Sequence, residues 1–347
     1  MSLAPATEPW RIEQANRDRA DALVAFGFTE RQARFLVHVL LHAGVFVERQ
    51  YAEFAGIAHG QKTTDFLARL VARQYATPIV TGALHRGRLF HVHYKPLWAA
   101  IGEPDSRFRK PATLGRLIER VILLDAVLAD RDLVWLGPSA DKVRFFASEH
   151  EEGERLRPDE YPHLCFGEGP TKVTRYFPDK LPIGAKPYGS PHVFLYLVTK
   201  PSPADFRAFL IRHTNLLGAL HEWTVRLLFP QHLTKAIPAY RDAARDHLAI
   251  AVAPSSVEEL RWFFHERRRL AQTPSATRDR RYMDAVKAFC GPRYSALYRA
   301  WLDGGDTALL QAESTVLPDA VDRERGRLDC VVLSRQYLHL SSLVGVA

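Results

Sequence analysis

Five elements in a fixed order between Thr29 and Tyr94 constrain this chain more than any other feature. Thr29 is a candidate N-cap before ERQARFLVHVLLHAG, in which Leu36, Val39, Leu40 and Ala43 fall on one helical face. Gly44 ends that helix. A second, Glu48–Ala55, is stopped by Gly56. In the third, QKTTDFLARLVAR, the residues Thr63, Phe66, Leu67 and Leu70 share one face, and Lys62, Asp65, Arg69 and Arg73 another. TPIV and RLFHVHY then alternate as two strands joined by a turn containing His85, Arg86, Gly87 and Arg88.

Helix, short helix, turn, helix, hairpin is the order of a winged helix-turn-helix. Such a unit needs a third helix with an apolar back and a polar front that fits the major groove. Gln61, Lys62, Thr64 and Arg69, with Arg73 at the end of the helix, form the expected DNA-facing set. His85, Arg86 and Arg88 supply a cationic wing tip for phosphates. The charge distribution agrees. Residues 1–110 carry 15 Lys and Arg against 10 Asp and Glu, which is five of the chain's eight net positive charges.

The stretch GEPDSRFRKP (102–111) reads as a linker, so residues 1–104 are expected to form one domain. Residues 112–250 are expected to form an α/β domain with a mixed sheet. Its elements are a helix at Thr113–Ala129, strands at 132–137, 142–148, 171–177 and 192–200, a helix from Ala204, and a strand at 222–230. PDKLPIG reads as a turn. Residues 251–347 are expected to be mainly helical, with Ser256 and Glu259 as a capping box and an apolar tail, CVVLSRQYLHLSSLVGVA, docked on the fold or on a partner subunit. The fold class is thus α+β or α/β, in several domains.

Pro178-Asp179 before the apolar strand VFLYLV resembles the core of restriction-endonuclease-like nucleases. Together with TERQARFLVHVLLHAGVFVERQYAEFAG, QKTTDFLARLVARQY and FHVHY, it makes residues 20–230 similar to the replication-relaxation family of plasmids and other mobile elements. The resemblance implies a DNA-binding protein of a bacterial mobile element. In that family the strand often carries acidic residues, whereas here Leu195, Leu197 and Val198 stand in those places. One carboxylate cannot hold a catalytic Mg²⁺, so the α/β domain is expected to be non-catalytic.

Other chemistry finds little support. No GxGxxG, GxSxG, HExxH or GxxxxGK[ST] is present. His91 with His93, and His38 with His42, have ligand-like spacing but no third ligand, and neither metal nor cofactor is expected. Arg261, Arg267, Arg268 and Arg269 read as a solvated face, and Tyr282, Phe289, Tyr294, Tyr298 and Trp301 as packing residues. The 3 cysteines lie far apart, no apolar run reaches the roughly 18–20 residues of a membrane span, and no targeting signal is read, so a reducing cytoplasm is expected. The expected function is sequence-specific double-stranded DNA binding as a homodimer, with transcriptional, replication or transfer control as its role. The rivals are a Mg²⁺-dependent nuclease completed by Glu168 or Asp141, and a protein-interaction adaptor.

Overall fold

Thr29 caps a helix as expected. Its hydroxyl accepts from the Gln32 amide while the Gln32 side chain accepts from the Thr29 amide, closing a capping box on α2 (Glu30–His42, after α1, Pro9–Val24). Replacing Thr29 by Ala should cost about 1 kcal/mol, read as a lower urea midpoint; no shift would contradict the capping role. The computed structural model describes residues 9–58, 60–79, 88–147, 156–167, 171, 173–186, 189–273 and 279–335. These divide between two compact units, one drawn from Met1–Arg155, Lys180–Leu197 and Leu333–Ala347, the other from Leu156–Asp179 and Val198–Val332. The protein is a mixed α and β molecule.

In the first unit, α2 leads through Gly44 into β1 (Val45–Val47). Gly44 has φ +68°, and a Cβ there would lie 2.5 Å from the Phe108 carbonyl oxygen, so only glycine fits. α3 (Glu48–Ala55) ends at Gly56, in the left-handed conformation with φ +63°. α4 (Gln61–Ala72), β2 (Ala76–Ile79) and β3 (Leu89–Val92) follow. The three strands pair antiparallel in the order β1-β3-β2, with Phe46 opposite Phe90 and Ala76 opposite Val92. Phe35 sits at the centre of the core. Its ring lies 5.1 Å from that of Phe46, 5.2 Å from Tyr51 and 6.3 Å from Phe66, mostly edge to face.

α5 (Lys95–Ala100) closes this region, and the Trp98 indole donates to the Val92 carbonyl. α6 (Leu114–Ala129) places Leu117, Val121 and Leu124 in the same core as α2 and β1. The 102–111 stretch is therefore a loop within one core, although its Pro and charge content reads as a linker. β4 (Val134–Leu136) precedes α7 (Ser139–Phe146). The expected strand at 142–148 is thus corrected to a helix at 139–146. Pro138 sets its start, and Asp141, Lys142, Phe145 and Phe146 are its buried residues, which is a helical period and not a two-residue one.

The chain next forms β5 (His163–Phe166) and β6 (Val173–Tyr176), an antiparallel pair in the second unit. It returns to the first unit for β7 (Ile183–Lys186) and β8 (Gly189–Leu197). β7 pairs antiparallel with β4 and with β8, so part of the segment read as a turn is a strand. Val193 and Leu195 of β8 pack with Val127 and Trp135.

The second unit continues with α8 (Ala204–Ala219), β9 (Trp223–Phe229), which Pro230 ends, and α9 (Ile237–Ala244), which runs into a π-helical turn, Arg245–Ala249. α10 (Pro254–Gln272), α11 (Arg280–Ala288), α12 (Pro292–Gly304), α13 (Thr307–Glu313) and α14 (Val316–Asp322) come next. Tyr282, Phe289 and Trp301 pack in one core with Leu260, Phe263 and Phe264. One expectation is corrected here. Ser256 lies inside α10, whose N-cap is Ala253 with Pro254 at the first helical position. After α14 the chain forms a strand, β10 (Gly326–Val332), which lies parallel to β9 and pairs Leu328 with Val225. Of the apolar tail, residues 336–347 lie outside the described residues.

Candidate nucleic-acid interface

The candidate surface is the front of α4. Its back is fully committed, because Thr63, Phe66, Leu67 and Leu70 are all buried. That fixes the roll of the helix and leaves Gln61, Lys62, Thr64 and Asp65 exposed on its first turns. The Gln61 amide donates to Asp65 Oδ1 at 2.6 Å, and the Thr64 hydroxyl donates to the Gly60 carbonyl at 3.3 Å. No acidic residue occupies the first turn, and the Gly60 N-cap offers no side chain to the leading amides. This end of the helix is therefore electropositive.

Arg69 and Arg73 play a different part. Arg69 Nη1 donates to the Gly27 carbonyl at 3.0 Å, and Arg73 Nη1 to the Phe26 carbonyl at 2.6 Å. Both guanidiniums thus satisfy carbonyls just beyond the end of α1, where a cation meets the negative end of the helix. The helical wheel groups them with Lys62, but each is bonded to the turn after α1. Arg88, just before β3, is exposed. His85 and Arg86 lie outside the described residues.

In the first unit His42 and His91 are buried, while His38 and His93 are only partly so. His38 and His42 stack with ring centroids 6.3 Å apart. Burial, followed by Arg34, pushes His38 down to about 4. His42 lies well below its ordinary value, because of burial first and then His38, Lys142 and Arg19. His91 Nε2 lies 3.0 Å from the Phe108 carbonyl, and His93 Nε2 2.8 Å from the Thr77 hydroxyl, so each ring has a local partner. No group of three or more His, Cys, Asp or Glu among the described residues is placed to hold a metal ion. No helix among them is long and apolar enough to cross a membrane.

Asp179 of the Pro-Asp turn accepts from Arg212 Nη2 on α8 at 2.8 Å, while its Oδ2 is buried with no hydrogen-bond partner among the described residues. Asp141, considered above as a second carboxylate, is bound by both terminal nitrogens of Arg19 at 2.8 and 3.0 Å. Glu168 lies outside the described residues. The basic run on α10 is tied into its own surroundings. Arg261 pairs with Glu258 and Asp306, Arg269 pairs with Glu266, and Arg267 lies 4.2 Å over the Tyr298 ring.

Sequence reasoning missed the buried polar groups at α7. Lys142 is buried and donates to the Leu181 carbonyl at 2.6 Å, beside the Arg19–Asp141 pair. The available signal was a charged Asp-Lys step on the apolar face of a helical period. Comparison of the chain with protein families, with curated proteins and with solved structures finds no match.

Proposed function

We propose that the segment from Thr29 to Val92 is a winged helix-turn-helix and that the protein reads double-stranded DNA with α4. The observation that carries this reading is the fastening of α4. Phe66, Leu67 and Leu70 hold its back, Arg69 and Arg73 tie its C-terminal end to the turn after α1, and Gln61, Lys62 and Thr64 are left exposed at its electropositive N-terminal end. Helix, strand, helix, helix and two strands in the order β1-β3-β2 is the arrangement such a domain requires.

In this reading Lys62 meets a guanine edge or a phosphate, Gln61 and Thr64 meet base edges or backbone, and Arg88 meets phosphate beside the groove. Arg69 and Arg73 set the angle of α4 and do not touch bases. The α/β region is a non-catalytic platform, since Asp179 is committed to Arg212. One such helix covers a half-site, so the protein acts as a homodimer on a two-fold site. The role that fits a chain of this kind is control of transcription, replication or transfer on a mobile element.

Two substitutions in the full-length protein test the reading. Lys62→Ala should cost about 1–3 kcal/mol on the preferred sequence and relax the choice among sequences. Arg88→Ala should weaken all sequences alike and lower the salt slope by about one per subunit, about two for the dimer. Electrophoretic shifts at several salt concentrations read both effects. Unchanged affinity and selectivity in both variants would end the proposal.

A further inference from the structure

The second unit holds a cationic cluster that the DNA reading does not use. Arg207 on α8 is 5% exposed. Its Nη2 pairs with Asp246 Oδ2 at 2.7 Å, while Nε and Nη1 are buried with no hydrogen-bond partner among the described residues. Asp246 and His247 stand in the π-helical turn after α9, a widened turn of the kind frequently found at functional sites. His247 Nε2 is likewise buried without a partner. Arg293, in the first turn of α12, donates through Nη2 to the Ile250 carbonyl, and its Nε is another orphan. α12 starts at Gly291-Pro292 with no capping side chain and no acid in its first turn.

These groups act on one another. Burial and then Arg207 and Arg293 hold His247 down to about 3, with Asp246 opposing, so the imidazole is neutral near neutral pH. Burial also lowers Arg293, with Asp246 opposing and Arg207 adding to the effect. Two guanidiniums and one carboxylate leave a single positive charge in excess. Buried guanidinium nitrogens without acceptors are costly, and removal from water makes the excess charge costly too. An anion with several oxygens on one centre answers both needs. A carboxylate offers two oxygens, whereas a terminal phosphate offers three from one side and matches the planar fork of arginine. The burial of Arg207 favours a terminal group over a phosphodiester, which is substituted on two sides.

We propose that Arg207, His247 and Arg293 form a binding site for a terminal phosphate group, supplied as inorganic phosphate or as a phosphomonoester. Asp246 orients Arg207 and limits the affinity by its own negative charge. The site rests on residues of the second unit alone and is independent of the DNA reading.

The test titrates the full-length protein with inorganic phosphate, using chloride to hold ionic strength constant, and reads calorimetric heats and the thermal midpoint. Saturable binding and a midpoint that rises with phosphate are expected. Arg293→Gln should weaken binding by roughly tenfold or more, and Asp246→Asn should strengthen it several-fold. If Arg207→Gln fails to fold, Arg293→Gln and His247→Ala decide the matter, since both residues are only partly buried. A midpoint that phosphate moves no further than chloride does, or an Asp246→Asn protein that binds phosphate more weakly, would overturn the site. A 5′-phosphorylated oligonucleotide and its 5′-hydroxyl twin serve as competitors. Displacement by the phosphorylated form alone names a monoester as the source, and displacement by neither assigns the site to free phosphate. Equal displacement by both would place the phosphate on a backbone-binding surface elsewhere and refute the proposal.

Discussion

Replacing Arg19 by Ala should destabilise the protein by about 3–5 kcal/mol, the range for breaking a buried ion pair from one side. Arg19 on α1 grips both oxygens of Asp141 on α7 and donates from Nε to the Ile101 carbonyl at 3.2 Å. Asp141 is buried, and the other cation paired with it among the described residues, Arg144, is largely exposed at 3.8 Å. Without Arg19 a desolvated carboxylate faces the core. Glu103 makes this worse, because burial and then Asp141 already raise its carboxyl above the ordinary range while Arg19 holds it down. The double replacement Arg19→Met with Asp141→Leu should recover most of the loss, because the cost lies in the orphaned charge and not in the missing pair. Urea denaturation reads both. A loss below about 1 kcal/mol in Arg19→Ala would show that water reaches Asp141.

The second large effect is acid destabilisation. His38 is held at about 4, His247 at about 3, and His42 well below its ordinary value, against 6.5 for an unperturbed histidine. Between pH 6.5 and 4 the unfolded chain therefore binds protons that the native protein does not. Stability is full above pH 6.5 and falls as the pH drops toward the folded values, and His38 alone contributes about 3 kcal/mol to the fall. Glu103 works in the opposite direction because its carboxyl is raised. Asp306, lowered by its bond from the Trp301 indole and by Arg261, acts only at more acid pH. Urea midpoints across this range should decline steadily, and His38→Gln should flatten the decline. A midpoint constant from neutrality to pH 4 would contradict the burial of these rings.

Much of the candidate interface was legible because its rules are local. The Thr29 cap, Gly56 and the spacing of Phe66, Leu67 and Leu70 each act within a turn or two, and the expected helices coincide with α2, α3 and α4 to within a residue. The rest depends on tertiary contacts. Arg69 and Arg73 look like groove residues on a helical wheel, and only the position of the turn after α1 shows that they are held by the Gly27 and Phe26 carbonyls. α1 itself was unread, since Ile12, Ala20 and Leu23 are isolated among charged residues. The 142–148 segment alternates well enough for a strand, and Asp141 and Lys142 reveal their inward face only through Arg19 and the Leu181 carbonyl. β10 has little meaning without β9 beside it, since a parallel pair is joined by a long crossover.

The proposed contact between the exposed end of α4 and duplex DNA is open to a direct test. Selection of bound fragments from a random duplex pool, run with wild-type protein at low and at near-physiological salt, tests it most directly. Enrichment of a two-fold symmetric sequence at both salt concentrations is expected, with a steep fall in total DNA retained as salt rises. Retention that ignores salt, or a pool that emerges unenriched, would contradict it.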